Sequence, residues 1–390
     1  MPEALIVEAV RTPRGKGKPG GALSGVAPVE LAAGLVRHLL TRQTPAAVDD
    51  LILGCSTQTG EQGTNVARLA ALAAGLETSG STVSRYCASG IDAIAAGAAQ
   101  ICASMAASVF AGGIESMSRV PMFSDAGPWF ADPTVAEIAG FMHMGVSADL
   151  LATDAGIDKP ALDAYAVESH RRARRARDEG WNHAIVPVET EHGTVHADEA
   201  IRDLDLDAAA SRPPAFGALF DEDAQRRLAR WRPDAQVDPR HSVATSPGLA
   251  DAASLLWLVS SSSSLADRAV ARIASWSHET ATVPMSLAGN VSAVRSALAR
   301  AGWSVDQVDA FEVNESFAAV PIHFARTLRV DPASVAAHGG AIAMGHPLGA
   351  TGGILVATLL DVLSRTGGRR GVASVCGAAG VASAIAIERL

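Results

Sequence analysis

Ser84-Arg85-Tyr86-Cys87-Ala88-Ser89-Gly90 is the stretch around which the whole chain is read. Thr82-Val83, just before it, ends a buried strand. From Ala88 onward the residues Ile91, Ala93, Ile94, Ala95, Ala96, Ala98 and Ala99 have the texture of a tightly packed helix. Cys87 therefore falls at a strand-to-helix turn, at the helix N-terminus. Free N–H groups and the helix dipole favour a thiolate there, and the thiolate is the nucleophilic form of cysteine. Ser89-Gly90 lets the backbone and a ligand approach closely. A lone cysteine is also a common buried filler, so the rest of the chain has to decide between nucleophile and core.

A length of 390 residues suggests two or three packed units. Apolar residues make up 48% but aromatics only 4%, and there are 36 glycines, so the interior is built of small aliphatics at close spacing, as in layered α/β proteins. A net charge of −9 argues against nucleic-acid binding while leaving room for an anionic ligand on a local basic patch. Cys55, Cys87, Cys102 and Cys376 form no C-x-x-C pair and no zinc spacing, so no metal is expected. The chain opens almost at once with the strand residues Leu5-Ile6-Val7, which leaves no room for a targeting segment, and a reduced cytoplasmic setting is expected. The uncharged window Ile94 to Gly113 has the length of a bilayer span. Its Ala, Gly and Ser content reads instead as a buried helix followed by the strand Ser108-Val109-Phe110-Ala111, and no membrane partner is expected.

Strand and helix patterns alternate outward from this centre. Leu5 to Val10 is a strand, Pro28 to Thr41 a helix, Asp50 to Cys55 a strand and Asn65 to Gly75 a helix. Such alternation predicts a largely parallel sheet covered on both faces. From Arg119 to Ser246 the texture changes, and this stretch reads as a loop-rich insertion covering the active site. Leu162 to Arg177 is an Arg-rich helix whose arginines are solvated or meet phosphate groups, and Ser211 to Asp238 is irregular. Ala252 to Leu258 is a helix or a strand; Ala269 to Ser277 is a strand, Val291 to Ala301 a helix, Ala310 to Val313 a strand, and Phe317 to Leu328 a helix. Val335 to His338 is a strand, Thr351 to Leu363 a helix, and Val372–Cys376 with Ala382–Glu388 a closing hairpin. The predicted division is a first unit of residues 1–118 plus about 247–268, the insertion 119–246, and a second unit 269–390 that echoes the first.

Three further stretches carry chemistry: Asn314-Glu315-Ser316-Phe317-Ala318, Gly339-Gly340-Ala341-Ile342-Ala343-Met344-Gly345-His346-Pro347-Leu348-Gly349-Ala350-Thr351-Gly352, and Cys376-Gly377-Ala378-Ala379-Gly380. A nucleophilic cysteine needs a base, usually histidine. Of eleven histidines only His346 is framed by Gly and Pro in a turn, where it is rigid and reachable. Cys376, after a strand, is a candidate second acid/base.

Together these stretches resemble the thiolases, which make or cleave 3-ketoacyl-CoA. The likeness runs over nearly the whole chain. Gly112-Gly113-Ile114-Glu115-Ser116-Met117-Ser118 fits GGxExMS, and His143-Met144-Gly145-Val146-Ser147-Ala148-Asp149 fits MGxTAE. Asn314 to Ala318 fits NEAFA with one change, and Gly339 to Gly352 fits GGAIAxGHPxGxSG. The resemblance implies duplicated βαβαβαββ units in an α-β-α-β-α core, assembled as a homodimer or homotetramer. It implies CoA and acetyl-CoA as substrates with no resident cofactor. Cys87 would be acylated, His346 would activate it, and Cys376 would move the α-proton of acetyl-CoA. His346 and a water on Asn314 would hold the enolate oxygen; the backbone N–H groups of Cys87 and Ala378 would hold the tetrahedral oxygen. CoA contacts carried over are His143, Met144, Arg202, Phe317 and Ala318, with Ser246 a candidate and Phe317 equally readable as core.

The chain departs from the family pattern in several places. CxGGGxG reads Cys376-Gly377-Ala378-Ala379-Gly380-Val381-Ala382, GPxPA reads Gly289-Asn290-Val291-Ser292-Ala293, and the TAGNxS…DGA loop is shortened to Ala244–Ala253. Ala208 to Arg232 aligns with nothing in the family. Acetyl-CoA C-acetyltransferase is the first expectation, because His143-Met144-Gly145 resembles short-chain members. A longer-chain degradative 3-ketoacyl-CoA thiolase is the alternative. A ketoacyl-synthase-like condensing enzyme would not need Cys376, and a non-catalytic CoA-binding scaffold would not need the four catalytic positions together.

Overall fold

The computed structural model describes residues 2–42 and 47–390. The first repeat runs β1 (Ala4–Arg11), α1 (Pro28–Thr41), β2 (Asp50–Gly54), α2 (Val66–Ala74), β3 (Ser81–Val83), α3 (Ser89–Cys102), β4 (Ser108–Ser116) and, after the insertion, β5 (Ala250–Ser260). The second runs β6 (Ala271–Thr280), α4 (Gly289–Ala301), β7 (Ala310–Val313), α5 (Ala319–Leu328), α6 (Leu348–Thr366), β8 (Arg370–Cys376) and β9 (Val381–Arg389). The element order duplicates, and so does the pairing. In the first repeat β3 and β4 flank β2 in parallel, β5 runs antiparallel to β4, and β1 antiparallel to β5. In the second β8 lies parallel to β7, β9 antiparallel to β8, and β6 antiparallel to β9.

The sheet order is β7-β8-β9-β6-β1-β5-β4-β2-β3. Among the described residues, its halves pair only where Leu5 and Ile6 of β1 meet Arg272 and Ala271 of β6. Fewer pairings are parallel than the strand–helix alternation predicts, because each repeat ends in a long strand that returns antiparallel beside the first. The strand expected over Val335–His338 shrinks to one parallel bridge from Val335 to Phe311, the counterpart of β3. The chain turns away at Ala336, whose φ is +49°.

Local signals account for the helix ends. Proline opens α1, and Asn65 caps α2 by accepting from the Arg68 N–H. Gly75 ends α2 in the left-handed conformation. The insertion is more helical than its composition suggests, with Met144–Asp154, Lys159–Asp178 and Glu222–Trp231 all helical. The last of these lies inside the stretch expected to be irregular. Asp221 caps it, and it buries Ala224 and Leu228 beside Met142, Val146, Leu150 and Met285. The arginines of Lys159–Asp178 face protein carboxylates: Arg171 and Arg172 pair with Glu168, Arg174 with Asp203, Arg175 with Glu179, and Arg177 with Asp178.

Three apolar clusters define five layers. Leu31, Leu35 and Leu39 of α1 with Val66 of α2 bury against Leu51, Leu53 and Trp257 on one outer face. Val294 and Leu298 of α4 with Phe324 of α5 bury against Phe311 and Val372 on the other. Between the two half-sheets, Ile91 and Ile94 of α3 meet Leu355 and Leu359 of α6. By length and composition α6 would pass for a membrane span, yet most of it is buried in this middle layer.

The contact between α3 and α6 is made backbone to backbone. A Cβ on Gly352 would lie 2.2 Å from the Ile91 nitrogen, and one on Gly90 would lie 2.7 Å from the Gly349 oxygen. Neither neighbour is a side chain that can swing aside. Gly352→Ala should therefore overpack the central layer and lower stability by about 1–3 kcal/mol or more. Urea unfolding of the variant checks this; an unchanged midpoint would contradict it.

Candidate active site

Cys87 lies in a tight turn between β3 and α3. The Arg85 N–H donates to Ser89 Oγ at 2.8 Å, and the Ala88 N–H donates to the Arg85 carbonyl at 3.0 Å. Tyr86 takes φ +50°, a left-handed conformation that costs a bulky residue about 1–3 kcal/mol. Helix α3 begins at Ser89, so Cys87 precedes its first turn, later in the chain than the small-residue run suggests. The resting thiolate expected at a helix end is not what the site favours. Burial first, then the facing Cys376 thiol and Glu115, push the Cys87 thiol up to about 12. The backbone N–H groups of Cys87 and Ala378 act on the same sulfur in the opposite direction and are outweighed.

His346 sits in the turn before α6. Its N–H donates to the Gly248 carbonyl at 2.9 Å. Burial, and then the Arg14 guanidinium, hold the imidazole down at about 3. At neutral pH it is therefore uncharged. Nδ1 lies 2.8 Å from Thr351 Oγ1, and the Asn314 amide nitrogen lies 3.3 Å from Nε2. An amide donor facing Nε2 places the ring proton on Nδ1, donated to Thr351, and leaves Nε2 with a lone pair. Asn314 Nδ2 also donates to Ser316 Oγ at 2.9 Å, and Ser316 Oγ lies 3.5 Å from Cys376 Sγ. Asn314 Oδ1 is buried and unpartnered, suited to accept a hydrogen bond from a water.

Strand β8 delivers Cys376, and the loop behind it presents Ala378. The backbone strain falls one residue beyond the substitution that draws attention in the sequence: Ala379 has φ +54°, while Ala378 keeps its N–H beside Cys87.

These groups open onto one cavity of about 320 Å³, lined by Cys87, His346, Cys376, Ser316 and Ala378. His143, Met144, Ser246 and Phe317 line it too. Phe317 is both wall and core, with its ring 5.8 Å from Phe216 and 5.5 Å from His241. Two expected contacts lie elsewhere. Ala318 is fully buried, its N–H given to the Thr245 carbonyl, because it begins the packed turn into α5. Arg202 lines an adjoining chamber with Lys16, Lys18 and His170, joined to the cavity across Ser246, Gly248 and Leu249.

Sequence reasoning overlooked the aromatic walls. Tyr86 stacks toward Trp129 at 5.5 Å, and Trp129 meets Phe141 edge-on at 4.8 Å. Phe123 and Phe130, 4.6 Å apart, complete that side. On the other side Phe216 stacks on His143 at 5.6 Å. A signal was present: four aromatics fall between residues 123 and 141 in a chain only 4% aromatic.

Residues 4–219 match the family model for the thiolase N-terminal domain, and residues 267–389 the model for the thiolase C-terminal domain. A steroid 3-ketoacyl-CoA thiolase of Mycobacterium tuberculosis is 35% identical over 100% of this chain and 95% of its own. A beta-ketoadipyl-CoA thiolase of Pseudomonas aeruginosa is 36% identical over 100% of this chain and 99% of its own. The crystal structure of the Bacillus anthracis acetyl-CoA acetyltransferase superposes with a TM-score of 0.85 at 30% identity, covering 100% of this chain and 99% of that one.

A neutral Cys87 beside a neutral His346 has a pH signature. Alkylation of Cys87 by iodoacetamide should rise roughly tenfold per pH unit from about pH 6 to about pH 9. A plateau near neutrality would reveal a resident thiolate instead.

Proposed function

The chain belongs to the thiolase family, and from that premise we propose that it cleaves 3-ketoacyl-CoA with CoA through an acyl-Cys87 intermediate, the reverse path being a Claisen condensation of acetyl-CoA. The convergence of Cys87, His346 and Cys376 on one cavity, with the Asn314 amide against His346, carries this reading. His346 Nε2 takes the Cys87 proton, and the sulfur adds to the 3-keto carbon of the substrate. The tetrahedral oxygen lies against the N–H groups of Cys87 and Ala378. Collapse breaks the C2–C3 bond and sends its electron pair into the enolate of acetyl-CoA. His346 and a water on Asn314 hold the enolate oxygen while the Cys376 S–H gives its proton to C2. The Cys376 thiolate then takes the proton of incoming CoA, whose sulfur displaces Cys87 from the acyl group. Cys87 recovers its proton from His346, so both proton carriers return to their starting states.

CoA would lie along His143, Met144, Phe216, Phe317 and Ser246. Its phosphate groups would turn to the adjoining chamber, where Lys16, Lys18 and Arg202 supply positive charge. Acetyl-CoA C-acetyltransferase activity is the first reading of the sequence. The aromatic wall that begins at Tyr86, next to the nucleophile, supports the alternative of a longer or bulkier apolar acyl group. Reactive buried thiols fit a reducing compartment, and the open edge of β3, whose partner is β2, fits assembly of copies.

Thiolysis of acetoacetyl-CoA measured against a long-chain 3-ketoacyl-CoA tests the proposal, with Cys87→Ala as control. The aromatic wall predicts a kcat/KM at least tenfold higher for the longer substrate, since one extra buried methylene contributes about 1 kcal/mol. Cys87→Ala should lower turnover of both by three orders of magnitude or more, on the order of what loss of a covalent nucleophile costs. Preference for acetoacetyl-CoA would restore the short-chain reading, and turnover by Cys87→Ala would overturn the mechanism.

A further inference from the structure

Two of the positions where the chain departs from the family motifs lie beside the same sulfur. Ser316 stands where NEAFA has alanine, and Asn290 where GPxPA has proline. Ser316 is 6% exposed and lines the cavity. Its Oγ lies 2.9 Å from Asn314 Nδ2 and 3.5 Å from Cys376 Sγ. The amide nitrogen of Asn314 can only donate, so Ser316 Oγ accepts on that side. Its own proton is then free, and Cys376 Sγ is the partner within reach. Asn290 is buried at the start of α4. Its Oδ1 accepts from Ser374 Oγ at 2.7 Å, while its Nδ2 is unpartnered.

We propose that Ser316 is a catalytic residue of this enzyme: its hydroxyl donates a hydrogen bond to Cys376 Sγ and stabilises the thiolate left when Cys376 gives its proton to the enolate carbon. The proposal rests on the reading of Cys376 as the acid/base of the reaction. In that step the S–H bond of Cys376 breaks and a C–H bond forms at C2. The electron pair of the enolate becomes the C–H bond, and the S–H pair stays on sulfur. The O–H bond of Ser316 stays intact throughout. A hydrogen bond to a charged acceptor is stronger than one to its neutral form. The Ser316 contact therefore favours the thiolate over the thiol. Burial pushes the Cys376 thiol up to about 11, with Ser316 and Asn290 both pulling it down. The titratable groups around it are Cys87, across the cavity, and His346, reached through Asn314. Both are neutral at pH 7 in the resting site, so neither supplies a positive charge in Ser316's place.

Ser316→Ala tests the proposal with little risk to the fold, because it shortens a side chain to the residue of the family motif. The readout is deuterium incorporation into the methyl group of acetyl-CoA in heavy water, which reports proton transfer at the α-carbon. Exchange should fall about tenfold in Ser316→Ala, and its pH limb should move about one unit higher. The rate of Cys87 alkylation by iodoacetamide, a step that moves no proton on Cys376, should stay as in the native enzyme. Native exchange with an unmoved pH limb in Ser316→Ala, while Cys376→Ala shows none, would overturn the role of Ser316 alone. Native exchange in Cys376→Ala would instead overturn the reading of Cys376, and the proposal with it.

Discussion

The backbone contact between α3 and α6 is the constraint on which the site depends. Gly90 and Gly352 let the two helices touch with no side chain between them. Each helix follows a turn that carries a reactive residue, so close packing of the helices brings Cys87 and His346 to one cavity. A buried carboxylate pins the arrangement. Glu115, at the end of β4, accepts from the N–H groups of Ser56, Thr57 and Gly349 and from the Gln62 amide. It thereby ties the loop after β2 to the first turn of α6. Each donor left unsatisfied in its absence would cost about 1–3 kcal/mol.

Burial also sets the electrostatics. The interior disfavours charge at Cys87, Cys376 and His346 alike, so the resting site holds two thiols and a neutral imidazole. Charge appears only as the reaction proceeds, and fixed donors wait where it appears. In the proposed mechanism the N–H groups of Cys87 and Ala378 serve one oxygen, and Ser316 serves the Cys376 sulfur. Arg14, buried and bonded to the Gly345 carbonyl at 3.1 Å, adds a positive charge that keeps His346 unprotonated. Preorganised dipoles of this kind stabilise a transition state without having to reorganise.

Much of this was readable from the residues. The helix Pro28–Thr41 shows its period and its opening proline, and its observed limits agree. His346 was readable because Gly345 and Pro347 frame it, and Cys87 and Cys376 because each follows a strand and runs into small residues and glycine. Other features were not. The run Ala252–Leu258 is apolar but for Ser254, and a fully buried strand then looks the same as a buried helix; the structure makes it β5. The helix Glu222–Trp231 buries only Ala224 and Leu228, too weak a stripe to recognise in a charged segment. The aromatic walls join residues 86, 129, 141, 216 and 317, and contacts between such distant positions leave no local pattern. Phe216 belonged to a stretch with no motif, although it stacks on the expected His143.

Mass analysis of the enzyme after brief exposure to acetyl-CoA, with the acyl group mapped by peptide, tests the central claim most directly. The account predicts a thioester confined to the peptide containing Cys87, lost when free CoA is added and absent from His346→Ala at neutral pH. An acyl group carried by Cys376, or no covalent acyl-enzyme at all, would contradict it.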